Sequence, residues 1–199
     1  LNFQITKKMS KVFIENKTFR AVDFTETELK KGDYEVCVFE NCSFANADLS
    51  DINFTECSFL NCDLSMANLN NTAFREVKFR DCKLLGLRFE VCNPFLFSTN
   101  FDTCQLDFAS FFQRSVPKTE FKECSLNETD FSEADLTNSV FQNSDLTDAV
   151  FDQSNLEKCD FRTARNYAFN PELNRIQGAK FSIPGVLGLL DKYGIEIDY

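Results

Sequence analysis

Along most of the chain a bulky apolar side chain recurs at every fifth residue. The series runs Phe19, Phe24, Leu29, Tyr34, Phe39 and onward without a miss to Phe89. It slips by two residues, resumes at Leu96 and continues through Phe101, Leu106, Phe111 and Val116 to Phe161. Two positions before the bulky residue there is usually a small one, such as Cys37, Ala47, Cys57, Thr99, Ala109, Ser139 or Ala149. The positions between are mostly Asp, Asn, Ser, Thr, Glu or Lys. Neither the 3.6 period of a helix nor the 2.0 period of a strand generates this spacing. In every five residues one large and one small side chain must face a core, and the other three face solvent.

Reading every fourth repeat sorts like with like. One column (Phe19, Phe39, Phe59, Phe79, Phe101, Phe121, Phe141, Phe161) is phenylalanine throughout. The next passes from Phe24 and Phe44 to Leu64 and on to Leu146, and the third from Leu29 to Phe89 and Phe151. A twenty-residue coil with four sides stacks identical side chains, so the predicted fold is an all-β solenoid, a quadrilateral β-helix. The columns align only if the slip, at 90–95, is a bulge on the fourth side. The expected organisation is an N-terminal tail or cloning remnant (1–11), the β-helix (12–165) and a C-terminal capping and dimerisation module (166–199).

Composition then narrows the chemistry. Histidine is absent, which removes the commonest general base, the usual zinc ligand set and every His-assisted nucleophile. No enzyme, cofactor or metal is expected. The 21 basic and 31 acidic residues give a net charge of −10, which argues against direct nucleic-acid binding, where Lys and Arg dominate. No apolar run approaches the ~18–20 residues of a membrane span. Eight of the nine cysteines fall on the small inward position. They read as buried, reduced thiols and hence as a cytoplasmic setting. Cys92, inside the slip, is the one expected to be accessible.

Two stretches lack Lys and Arg: Gly32 to Phe74, and Glu123 to Glu157. Arg75, Lys78, Arg80, Lys83 and Arg88 lie between them. In the second stretch Glu128, Asp130, Glu133, Asp135, Asp145, Asp148 and Asp152 are the candidate partner-binding residues. Arg114 lands where a small inward residue belongs. Burying an unpaired guanidinium is costly, so the backbone at 113–117 is expected to leave the coil. That would stack two irregular segments on one face, either as tolerated drift or as a contact patch of Asn93, Pro94, Phe95 and Arg114.

The five-residue period stops after Arg165. An open β-helix end needs a cover. Ser182 can cap a helix that runs through Val186, Leu187 and Leu190 to Tyr193, with Gly194 as its stop. Ile195-Glu196-Ile197 then alternates as a short strand. Val186, Leu187, Leu190, Ile195 and Ile197 are the candidate dimer residues.

The segments Ala47-Asp48-Leu49-Ser50-Asp51, Ala134-Asp135-Leu136-Thr137-Asn138 and Ser144-Asp145-Leu146-Thr147-Asp148 resemble the pentapeptide-repeat family. That resemblance implies a right-handed helix. Asn166-Tyr167-Ala168-Phe169-Asn170-Pro171, Ala179-Lys180-Phe181-Ser182-Ile183-Pro184 and Cys82-Lys83-Leu84-Leu85-Gly86 resemble the Qnr-like group, with AlbG and MfpA. Gly86 would match the glycine that divides the rod in that group. The group implies tail-to-tail dimers that mimic B-DNA and bind type II topoisomerases, DNA gyrase or topoisomerase IV, some of them protecting against quinolones. The better-known Qnr proteins carry projecting loops, where this chain has the two-residue slip and Arg114. The alternative is a structural scaffold with a different partner.

Overall fold

The computed structural model describes residues 11–196. It is an all-β parallel solenoid whose four sides follow the four sequence columns. On the first side β2 (Thr18–Arg20), β4 (Val38–Glu40), β6 (Ser58–Leu60), β8 (Val77–Arg80), β9 (Thr99–Asp102), β10 (Glu120–Lys122) and β11 (Val140–Gln142) form one seven-stranded sheet. On the fourth side β1 (Val12–Glu15), β3 (Gly32–Glu35), β5 (Asn53–Thr55) and β7 (Ala73–Arg75) form a four-stranded sheet. The second and third sides are held by single bridges, such as Ser43↔Asp63 and Asp48↔Asn68. Partners lie twenty residues apart, as in Phe39↔Phe59, until the slip makes the step Phe79↔Phe101.

The strands are short because each side ends in a corner. The corner residue, two after the bulky one, takes a left-handed conformation in most repeats, as at Asn41, Asn46, Asp51 and Asn61. Non-glycine residues adopt this at a cost of roughly 1–2 kcal/mol, least for Asn and Asp. Gly86 occupies the same kind of corner, with φ +63, and an added Cβ would meet the Met66 sulfur. Inside, rings of one column stack face to face, with Phe39 and Phe59 centroids 4.8 Å apart and planes 10° apart. Rings of adjoining columns meet edge to face, as Phe39 and Phe44 do at 5.6 Å and 71°. Both arrangements suit the aromatic quadrupole.

The structure corrects the sequence reading at the slip. Leu96 does not point inward: Phe97 does, packing edge-on to Phe74 and Phe89. Nor does the backbone leave the coil at 113–117. Val116 N donates to Asp135 O at 2.8 Å, and Ser115 pairs with Asp135. Arg114 is buried at 6% exposure because its guanidinium is satisfied, donating from Nε to Phe89 O at 2.9 Å and from Nη2 to Cys92 O. Cys92 is buried as well. Of the two irregular segments expected, one exists.

The end also differs. In place of a helix from Ser182 to Tyr193 there are two short 3₁₀ turns, Gly185–Leu189 and Asp191–Tyr193. Two glycines in that run disfavour an α-helix, and both are needed for close approach. A Cβ on Gly185 would collide with the Tyr167 hydroxyl, and one on Gly188 with the Tyr167 carbonyl. Ser182 Oγ still accepts from Gly185 N at 3.2 Å, and Gly194 is left-handed. Ile195 and Glu196 form no strand. Ile197 lies outside the described residues.

Candidate partner-binding surface

The repeat places the acidic candidates by position. Asp130 and Asp152 flank the bulky residues Phe131 and Phe151 on the third side, where Asp130 pairs with Ser110 and Val150. Glu128 and Asp148 form one adjoining corner, Glu133 the other. Asp135 is on the fourth side and Asp145 on the second. All seven therefore ring three sides of neighbouring coils. Of the bases of this half, Lys122 and Arg162 lie on the first side and Lys118 and Lys158 at the corner leading into it, while Arg165 pairs with Asp145 on the second side and Arg175 with Asn155 on the fourth. Among the described residues none of the seven forms an ion pair.

The carboxylates are of two kinds. Aspartates just before the bulky residue accept from the backbone N–H two positions on. Asp130 takes Ser132 N at 2.8 Å, and Asp135 takes Thr137 N at 3.1 Å. Asp145 takes Thr147 N at 3.1 Å and Asn166 Nδ2 at 2.9 Å. Partial burial would raise the Asp145 pKa, but the bonds from Thr147 and Asn166 outweigh it and hold the carboxyl below its ordinary value. These are Asx turns, local supports of the corner that follows. Corner carboxylates have no such task. Glu128 (φ 53) and Glu133 (φ 56) are exposed in a conformation that favours Asn, Asp or Gly. Glu133 accepts from Gln113 Nε2 at 2.8 Å.

At the slip, Asn93 Nδ2 donates to Asn71 Oδ1 at 3.1 Å, while Asn93 Oδ1 accepts from Phe95 N at 3.0 Å. Pro94 and Phe95 are exposed. Arg114 lies beneath them in the core, so it is no surface contact. Sequence reading missed Leu96, as exposed as Phe95 at 66%. It also missed Met66 and Phe108, two exposed apolar corners whose position, two after a bulky residue, the period could have revealed. At the end of the rod Val186 and Ile195 are exposed, Leu187 and Leu190 half-buried, and Leu189 buried against the last coil. Ile183, not among the candidates, is 89% exposed.

Family models described as a pentapeptide repeat region and as pentapeptide repeats match residues 32–111, and 104–143 with 124–162. No curated protein matches by sequence. Among solved structures the chain is similar to two trypsin-treated variants of QnrB1, a plasmid-mediated fluoroquinolone resistance protein. One variant aligns with a TM-score of 0.70 at 21% identity, over 94% of this chain and 92% of that one. The other gives 0.61 at 20%, over 94% and 98%. No helix of the described residues is long and apolar enough to cross a membrane. Five-residue period, four stacked columns and left-handed corners agree with these matches, and the chain belongs to the pentapeptide-repeat family.

Proposed function

We propose that this protein is a non-enzymatic mimic of duplex DNA that binds a type II topoisomerase, DNA gyrase or topoisomerase IV, with quinolone resistance as the consequence. It acts in the cytoplasm as a homodimer. The observation that carries this reading is the three-sided acidic surface at Glu128–Asp152, whose corner glutamates the backbone does not ask for. Charge that the fold does not need is charge available to a partner. Duplex DNA carries one negative charge per about 1.7 Å of axis, and coils repeat at about 4.8 Å, so two or three carboxylates per coil reach a comparable density.

The dimer is proposed through the capping module 166–199, where Val186 and Ile195 stand exposed with Leu187 and Leu190 beside them. End-to-end pairing there would set the acidic coils of both copies on either side of one centre. Asn93, Pro94 and Phe95 are proposed as a second contact, on the slip. One observation favours the alternative, a scaffold with another partner: Asp130, Asp135 and Asp145 are explained by the turns they support.

A gyrase supercoiling assay, with and without a quinolone, tests the reading. Inhibition should weaken steeply with salt, since the Debye length falls from about 10 Å at 0.1 M to about 3 Å at 1 M. Reversing charge at Glu128, Glu133 and Asp148 together should abolish inhibition without unfolding the rod. Unchanged inhibition would leave the scaffold reading standing. Val186→Asp should sediment as a monomer; a persistent dimer would remove the capping module as its interface.

A further inference from the structure

Resting on the reading of Asn93, Pro94 and Phe95 as a contact, we infer that Arg114 is the positioning residue of that contact. From inside the rod it fixes the two-residue insertion so that Phe95 and Leu96 project from a polar surface.

Where the inner position that Arg114 occupies is taken by another hydrogen-bonding side chain in this column, that side chain has a regular task. Thr72 Oγ1 donates to Leu49 O at 2.7 Å, Ser154 Oγ to Phe131 O at 2.8 Å, and Asn174 Nδ2 to Phe151 O at 2.9 Å. Arg114 Nε performs the same task on Phe89 O at 2.9 Å. The guanidinium then does something no hydroxyl can. In neighbouring coils the carbonyl at this inner position accepts a backbone N–H from the next coil, as Arg114 O does from Asp135 N at 2.9 Å and Ala134 O from Asn155 N at 2.8 Å. The insertion shifts the chain so that Cys92 O takes the Arg114 Nη2–H instead.

The same group lies under Phe97, with Cζ 4.6 Å from the ring centroid. That contact holds Phe97 in the place where the column expects its bulky residue, against Phe74 and Phe89. With Phe97 turned in, and Asn93 N and Ser98 N each bonded at 2.9 Å to Thr72 O and Phe74 O, the residues between must bow outward. Phe95 and Leu96 are the crest. A planar fork that donates to two carbonyls and stacks on a ring is an arginine property; a lysine ammonium offers a single compact charge.

The test is hydrogen exchange on the folded, full-length chain, which needs no partner. In the wild type, peptides covering 93–98 should be protected like the flanking coils; free exchange there would overturn the inference even if no variant folds. In Arg114→Met, which keeps the stem and removes the donors, exchange at 93–98 should rise about tenfold to a hundredfold, as loss of charged hydrogen bonds implies. Coils around Phe141 should stay unchanged, and Arg114→Lys should not restore protection. An equal rise everywhere would make Arg114 a core residue like any other. Inhibition of gyrase should fall alike in Arg114→Met and in a Phe95→Ser, Leu96→Ser double variant. If wild-type protein leaves gyrase untouched, the proposed function fails and the exchange result stands apart.

Discussion

The two halves of the rod, on either side of the slip, have the same backbone and different linings. Before it the polar inner side chains are mostly thiols, which donate weakly to the coil below. Cys57 Sγ to Tyr34 O is 3.3 Å, Cys62 Sγ to Phe39 O 3.3 Å and Cys82 Sγ to Phe59 O 3.4 Å. After it they are mostly hydroxyls. Thr129 Oγ1 to Leu106 O is 3.0 Å, and Ser139 and Ser144 reach Val116 O and Phe121 O at 3.1 and 3.0 Å. Thr72 on one side and Cys104, Arg114, Cys124 and Cys159 on the other are the exceptions. The fourth side changes too. Tyr34, Phe54 and Phe74 sit on paired strands, whereas Val116, Leu136 and Leu156 sit between single bridges such as Ser115↔Asp135 and Asp135↔Asn155. The coil is thus specified by its periodic geometry and tolerates two inner chemistries, most inner polar groups reaching the carbonyl one coil away, though Thr99 Oγ1 is buried without a partner.

The Phe column is what the halves share. Phe59 lies 4.8 and 5.0 Å from its stacked neighbours, Phe121 5.2 and 5.0 Å from its own. Phe59→Ala and Phe121→Ala should therefore cost alike, about 3–5 kcal/mol each by lost burial plus cavity. Denaturant unfolding measures both. A clear difference between them would show that the inner lining reaches into the aromatic stack.

High pH should separate the halves. Burial pushes the thiols of Cys57, Cys92 and Cys159 up to about 12, and Cys82 reaches about 12 chiefly through its neighbour Cys104. An unfolded thiol titrates near about 8.5, so the native state holds these protons longer. The stability they confer is intact below about pH 8.5 and is lost as pH rises toward 12. Three of these four precede or lie within the slip, so alkaline exchange or proteolysis should open residues 32–92 before 123–161. Simultaneous opening would remove the distinction. At neutral pH none of the nine buried thiols should label in the native protein; rapid labelling of several would contradict their inward placement.

Single replacements of the lining refine this. Ser144 Oγ accepts from Cys124 N at 3.1 Å while donating to Phe121 O, so Ser144→Ala strands two buried backbone groups. That should cost about 1–3 kcal/mol. Cys62 stands in the same relation to Cys42 N at 3.4 Å and Phe39 O, but sulfur bonds are weak, and Cys62→Ala should cost less. Equal losses would mean that the thiols matter as donors as much as the hydroxyls do.

The period of five was enough to assign the inner and outer positions, because each column must match the one below it for the core to close. It was not enough at the slip. An insertion leaves two candidates for one inner place, and Phe97 takes it over Leu96 because its larger ring reaches both Phe74 and Phe89. Arg114 was legible as an anomaly, but its solution depends on a carbonyl that the insertion leaves open. The cap was legible in place and not in kind, since Gly185 and Gly188 answer to Tyr167, a contact that no local pattern encodes. The acidic candidates were found as a block; their division into turn supports and free corners needed the backbone conformation.

That division gives the smallest expected effect on stability and the most informative one. Asp145→Ala removes the acceptor of Thr147 N, Thr147 Oγ1 and Asn166 Nδ2, and should cost about 1 kcal/mol or somewhat more. Glu128→Asn removes one negative charge as well, but it puts a residue suited to the left-handed corner where a poorly suited one stood. Its stability should change by no more than about 0.5 kcal/mol, on the favourable side if at all. The two variants lose the same charge from adjoining positions on the acidic surface, so any partner that reads charge should be weakened by both. Thermal unfolding beside a binding titration separates the terms: Asp145→Ala should move both readouts, Glu128→Asn binding alone. A stability loss at Glu128 as large as that at Asp145 would mean that the corner carboxylates also serve the fold. The rod would then have no surplus charge to offer a partner.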